Sequence, residues 1–410
     1  MYIINILIVF ILSMLENGIN VYSNNVQPIN YNKIICINES IIDSSENYKN
    51  WGEFQFPELF YNRGILYAKV NIGRDNISGL GKGINRYYCS NDSGRSWVHL
   101  KNLNENNFIG IEIDSNCYLN LFSSNSKKIL LDSFKNNIID IKVNSYSKNK
   151  VYFIYDLDLP LELQGLFLAR KCGNVNKPYR VIIKDSCLIK YISENQLPFM
   201  WWGSIFFDNN TKKIYAAMYP EYIIENDVVQ PSGIGIYVSN DNGHIWQRQS
   251  VISYVSNSAD SLKLDEFADG FSEPSIIKIK NGDLICVIRS TNGLGNKPIY
   301  QSRSIDEGLN WSSPSIIISY GVKPQIIQLG NGLLVLSTGR PGIKLFVSDN
   351  NGLTWSKEFI VLHDSIPTCG YTGLKYLGND KFNLIYSDFS KMNKDGNRIK
   401  SIISKTFIIN

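Results

Sequence analysis

The sequence predicts an all-β fold, a β-propeller of six blades with seven as the alternative, and three observations carry that expectation. An octapeptide of the form Ser-x-Asp-x-Gly-x-x-Trp occurs as SNDSGRSW (90–97), SNDNGHIW (239–246), SIDEGLNW (304–311) and, with Asn in place of Asp, SDNNGLTW (348–355). A longer unit repeats as well: PSIIKIKNGDLICVIRS (274–290) lies over PQIIQLGNGLLVLSTGR (324–340) at an offset of 50 residues. Helical periodicity is almost missing. The chain runs instead in short β-branched and aromatic stretches broken by Asn-Gly, Asp-Gly and Asn-Asn turns, which indicates antiparallel strands.

The elements follow in order. The chain opens MYIINILIVFILSMLENGINVYS, whose apolar run from Ile3 to Leu15 is too short for a bilayer span but suits a signal-peptide core. The expected organisation is a signal peptide over 1–23, an N-terminal extension or closing strand over 24–50, and the propeller over 51–410, with no stable membrane anchor. Asn-x-Ser/Thr sequons at Asn38, Asn76, Asn91, Asn209 and Asn310 fit a secreted, extracellular chain. Weaker repeat copies start at FPELFYNRGILYAKV (56–70) and GSIFFDNNTKKIYAAMY (203–219), and YTGLKYLGNDKFNLIYSD (371–388) begins a last blade without an octapeptide. Units of about 40–50 residues built from four strands mark propeller blades. Residues 105–195 hold blade-like strands but no clear turn motif, and there the count is left open.

Composition removes some functions. Across 410 residues, 41 Lys and Arg stand against 37 Asp and Glu, a formal charge of +4 with no basic block, so nucleic-acid binding has no electrostatic support. Seven cysteines without Cys-x-x-Cys spacing and three histidines give no zinc pattern, and no cofactor is implied. The odd count leaves a thiol unpaired; Cys172 and Cys187 are the expected bridge, and Cys286 falls in a core strand.

The octapeptide has a structural job on its face. Gly at its fifth position supplies the backbone freedom of a tight reversal between a blade's third and fourth strands. A carboxylate at the third position accepts hydrogen bonds from backbone N–H groups of the turn, and Trp packs into the blade base. Asp92, Asp241 and Asp306 are therefore read as turn braces and not as catalytic acids; Asn350 can replace them because an amide oxygen still accepts.

These octapeptides resemble the Asp boxes (BNR repeats) of the sialidase, or neuraminidase, superfamily, and the resemblance extends from about Trp51 to the C-terminus. It implies a sialidase-type propeller and a retaining exo-glycosidase acting on a glycan or sialoglycoconjugate. In such an enzyme three arginines grip the substrate carboxylate, a Tyr assisted by a Glu is the nucleophile, and an Asp protonates the leaving group. A Tyr nucleophile suits an anionic sugar, because an attacking carboxylate would be repelled by the substrate's own.

Carried residue by residue, the resemblance implies Glu273 as the base and Arg289 as an anion clamp. The Asn-Gly hairpin between them returns both to one end of a blade. Arg340, eight residues before its Asp box, stands where the family's third Arg lies. Tyr371, at the start of the last blade, is the implied nucleophile. Asp75, in the Gly-rich NIGRDNISGLGKG, is the implied acid/base, with Asp265, Glu266 and Asp269 as alternatives. Where the family carries Phe-Arg-Ile-Pro this chain reads Phe54-Gln55-Phe56-Pro57, so Gln55 replaces the first Arg. That exchange forfeits a charge-assisted contact of about 1.5–3 kcal/mol unless Arg63 or Arg74 compensates. Trp201 and Trp202 are read as a sugar-stacking platform or as blade core. The competing function is a non-catalytic propeller that binds glycans or protein.

Overall fold

A computed structural model describes residues 34–46, 53–72, 85–101, 110–114, 117–122, 127–128, 131–139, 151–172, 175–193, 196–197, 201–255, 270–291 and 297–409. The signal peptide expected over 1–23 lies outside them, as do Trp51, Arg74, Asp75, Asp265, Glu266 and Asp269.

The β-branched runs separated by tight turns form antiparallel meanders. Three four-stranded sheets span 55–100, 270–318 and 322–362, and a fourth joins three strands of 372–409 to Ile34–Ser45. In that last sheet Ile34–Ser45 lies antiparallel to Lys400–Ile409, from Ile34 opposite Ile409 to Ser45 opposite Lys400. The meanders of 111–184 and 201–252 share one eight-stranded sheet. A further four-stranded sheet lies within 127–197.

Among the described residues five of these sheets are the propeller's blades, the sheet within 127–197 standing apart from them, where the sequence predicted six or seven. The cause is a parallel pairing, Ile182 to Lys184 beside Ile245 to Gln247, which merges two meanders into one ladder. No local turn signal announces such a contact. Disulfide pairing is corrected too: Cys187 is a free thiol, whereas Cys117 is disulfide-bonded, and its cross-strand partner in register is Cys172.

Packing follows the period of two along each central strand. On Leu284–Thr291, Cys286 and Ile288 enter a core with Ala217, Ile234 and Ile236 of the preceding sheet. Ile285 and Val287 on the opposite face join Ile326, Leu334 and Leu336 of the following one. Central strands buried on both faces therefore glue neighbouring sheets together. None of the helices among the described residues is long and apolar enough to cross a membrane.

All four octapeptides join a sheet's third strand to its fourth. Ser Oγ donates to the third-position oxygen at 2.7 Å in Ser90–Asp92, Ser239–Asp241 and Ser304–Asp306, and at 2.9 Å in Ser348–Asn350. Each fifth-position Gly N–H returns to that Ser at 2.8–2.9 Å with φ between +79° and +88°, a conformation that favours glycine. Three of these glycine carbonyls also accept from a neighbouring sheet: Ser40 Oγ to Gly94 at 2.7 Å, Ser250 Oγ to Gly308 at 2.6 Å, Gln301 Nε2 to Gly352 at 2.8 Å. The octapeptide is an inter-sheet clamp as well as a turn.

Candidate active site

The candidate residues gather at the strand ends remote from those clamps. In the 270–318 sheet Arg289 lies opposite Ser272 and Ile299, whereas Leu284, five residues back, lies opposite Lys278 and the clamp residue Ser304. Five residues of strand are about 17 Å. Clamp and site therefore occupy opposite ends of the sheet.

A repeated backbone feature aims side chains into the site. At the head of three first strands the ladder slips at a residue followed by proline: Phe56-Pro57, Glu273-Pro274 and Lys323-Pro324. Their φ values are +50°, +48° and +38°. A residue before proline ordinarily prefers extended backbone, and positive φ is unfavourable for any side chain but glycine. Such strain persists where surrounding contacts over-determine it, and it clusters at functional sites.

The three bulges converge on Tyr371. Glu273 Oε2 accepts the Lys323 backbone N–H at 2.9 Å and pairs with Arg289 Nη1 at 2.9 Å. Arg289 Nη1 also donates to the Tyr371 hydroxyl at 3.4 Å. Phe56 packs on the Tyr371 ring with centroids 4.8 Å apart. The Arg340 guanidinium lies 5.4 Å from that ring's centroid and Lys323 Nζ 5.9 Å from it, and Arg340 Nη2 donates to the Cys369 carbonyl at 3.0 Å. Arg340 itself has φ +61°.

Electrostatics follow from burial. Burial, reinforced by the Glu273 carboxylate, raises the Tyr371 phenol well above its ordinary value, and Arg289 and Arg340 offset only part of this. Tyr371 is thus a neutral phenol around neutral pH. Burial disfavours the Arg289 charge, but Glu273 and Tyr371 beside it prevail and hold it protonated. Lys323 is lowered by burial, with Glu58 and Glu273 partly restoring it. Beneath the site the first strands enclose a cavity of about 580 Å³ lined in part by Glu58, Lys69, Lys278, Lys323 and Lys375; of the site's charged residues only Lys323 borders it.

The structure thus brings Glu273, Arg289, Arg340 and Tyr371 together. Gln55 adjoins Phe56; it is 5% exposed, and its Oε1 has no hydrogen-bond partner among the described residues. Arg63 does not replace the charge missing there. It stands at the hairpin beside Asn62 and Ile65, at the far end of the strand from the Gln55–Asn71 pair, and interacts with Tyr118. Trp202 is buried with its ring 5.0 Å from Trp246, which is the core alternative of the two readings. Lys323 and Tyr219 were missed from sequence; the Tyr219 phenol is half-buried, and Glu273 and Tyr371 both act on it electrostatically. The signal for Lys323 existed, since it precedes Pro324 as Glu273 precedes Pro274, one residue before the compared repeats began. Among the described residues no cluster of potential metal ligands is present.

Residues 211–397 match the family model described as a BNR repeat-like domain, a segment holding three of the four octapeptides. The chain is an all-β propeller that carries a BNR repeat-like domain over this segment. Among solved structures the chain is similar to a protein of unknown function from Dyadobacter fermentans, with 14% identity over 92% of this chain and 100% of the other and a TM-score of 0.62. Further neighbours are the NanB sialidase of Streptococcus pneumoniae (15% identity, 90% of this chain and 70% of the other, TM-score 0.49) and the intramolecular trans-sialidase of Ruminococcus gnavus (15%, 90% and 97%, TM-score 0.47). No curated protein matches the chain in sequence. At these identities the likeness concerns the fold.

Proposed function

We propose that this chain is a secreted, sialidase-like exo-glycosidase that cleaves a terminal sialic acid or another acidic sugar with retention, through a tyrosyl intermediate. The observation that carries the reading is Arg289, which joins the Glu273 carboxylate to the Tyr371 hydroxyl while Arg340 lies against the same ring. A buried phenol is a weak nucleophile until its proton leaves. Glu273 is the base that receives this proton, and Arg289 and Arg340 stabilise the phenolate as it forms. Phenolate oxygen then attacks the anomeric carbon as the glycosidic bond breaks, and Asp75 gives the leaving oxygen a proton; water later releases the sugar from Tyr371. Arg289 and Arg340 also hold the substrate's acidic group, with Gln55 as a neutral hydrogen-bonding neighbour.

Hydrolysis of a fluorogenic sialoside and a panel of other glycosides by wild type and Tyr371→Phe tests the proposal. Turnover by wild type and its loss in Tyr371→Phe are expected. The uncharged Gln55 favours a second reading, a non-catalytic glycan-binding propeller. Binding to immobilised glycans with no turnover of any glycoside would establish that reading instead.

A further inference from the structure

We infer that Lys323 is a specificity-determining residue of this pocket, the cation that meets the carboxylate of an acidic sugar where Gln55 brings no charge. The inference rests on the reading of the pocket as an acidic-sugar site and names a residue that the family resemblance does not supply.

The charges around Tyr371 do not balance. Glu273 is paired with Arg289, which leaves Arg340 and Lys323 without an ion-pair partner among the described residues. Arg340 commits one N–H to the Cys369 carbonyl. Lys323 Nζ has no hydrogen bond to a described residue; it lies 5.9 Å from the ring centroids of both Phe56 and Tyr371. Lys323 is half-buried, and a partly desolvated ammonium is costly unless an anion meets it; Glu58 and Glu273 restore only part of what burial removes.

Neighbouring polar atoms are also unpartnered. Gln55 Oε1, Ser272 Oγ and Arg289 Nε are buried with no hydrogen-bond partner among the described residues, and Gln55 and Arg289 are 5% and 6% exposed. Gln55 and Ser272 occupy one bulge position, immediately before Phe56 and Glu273; Lys323 occupies the next position in its own sheet. Two acceptors, one guanidinium N–H and one ammonium without an ion-pair partner among the described residues thus stand at neighbouring strand heads around Tyr371. A sugar carboxylate flanked by hydroxyls offers the complementary set. Because an ammonium is a point charge without the fixed fork of a guanidinium, recognition through Lys323 constrains the carboxylate plane less than an arginine would.

The test measures binding by calorimetry, so it does not depend on turnover. The probes are N-acetylneuraminic acid and its methyl ester, which differ only in the carboxylate charge. The proteins are wild type, Lys323→Met and Lys323→Arg. Wild type is expected to prefer the acid by at least about tenfold, Lys323→Met to lose at least about tenfold in affinity for the acid with little change for the ester, and Lys323→Arg to keep the preference. A thermal midpoint for Lys323→Met at or above that of wild type shows that it folds. If Lys323→Met keeps the full preference for the acid, the inference is overturned while the acidic-sugar reading stands. If wild type itself does not distinguish acid from ester, both fall.

Discussion

Replacing Asp241 by Ala in SNDNGHIW separates a turn brace from a catalytic acid. Asp241 Oδ1 accepts from Ser239 Oγ at 2.7 Å, His244 N at 3.1 Å and Ile245 N at 2.9 Å, and Oδ2 accepts from Ile245 N at 3.1 Å. Burial opposes ionisation, but the bonds from Ile245 and Ser239 outweigh it and hold the carboxyl below its usual range. Each such charged bond contributes about 1.5–3 kcal/mol, but water reclaims the exposed His244 N–H, and Ser239 keeps its bond from Gly243 N at 2.9 Å. Asp241→Ala should therefore cost about 2–3 kcal/mol. Asp241→Asn should cost less than about 1 kcal/mol, since Asn350 does the same work without charge, accepting from Ser348 Oγ at 2.9 Å and Thr354 N at 3.0 Å. Urea unfolding followed by Trp fluorescence gives the stability, and glycoside turnover or glycan binding per folded molecule gives the function. Loss of function at unchanged stability in Asp241→Ala, or damage from Asp241→Asn equal to that from Asp241→Ala, would refute the bracing role.

Two further outcomes follow from buried charges. Lys190 Nζ lies 2.7 Å from Asp156 and donates to the Leu163 and Gly165 carbonyls at 2.9 Å each, with both side chains buried. Lys190→Met strands the carboxylate and should cost about 3–5 kcal/mol in urea unfolding, and adding Asp156→Asn should recover much of that loss. Burial, with help from Asp185, pushes Glu221 up to about 7 although Arg248 and Tyr237 offset part of the shift. The folded state then holds this proton more tightly than the unfolded chain, so the stabilisation is complete below the ordinary carboxyl range and disappears as pH rises to about 7. The loss is up to about 3 kcal/mol, and unfolding free energies measured from pH 5 to 8 should show Glu221→Gln flattening the slope.

What the sequence revealed depended on the range of the contacts involved. The octapeptide turn was fully legible because its bonds join residues two to four apart. Glu273 and Arg289 were legible for a related reason, since a hairpin of fixed length sets their register. The merger of two meanders was not, because Ile183 meets Trp246 across 63 residues with no shared motif. The expected Cys172–Cys187 bridge had no register to rest on, whereas the ladder sets Cys172 opposite Cys117. Trp202 looked equally suited to sugar or core because an indole's chemistry does not state which face of a strand it occupies. Lys323 escaped because lysine before proline carries no signal until its position in the repeat is aligned with that of Glu273.

The glycine carbonyl clamps act as the spine of a book. Alignment between neighbouring sheets is fixed at one edge by Ser40, Ser250 and Gln301, well away from the pocket-facing strand heads. A residue at the open edge, Gln55 for example, can then be exchanged without disturbing how the sheets are aligned. Such a molecule can change what it recognises one pocket residue at a time, because its shape is secured elsewhere.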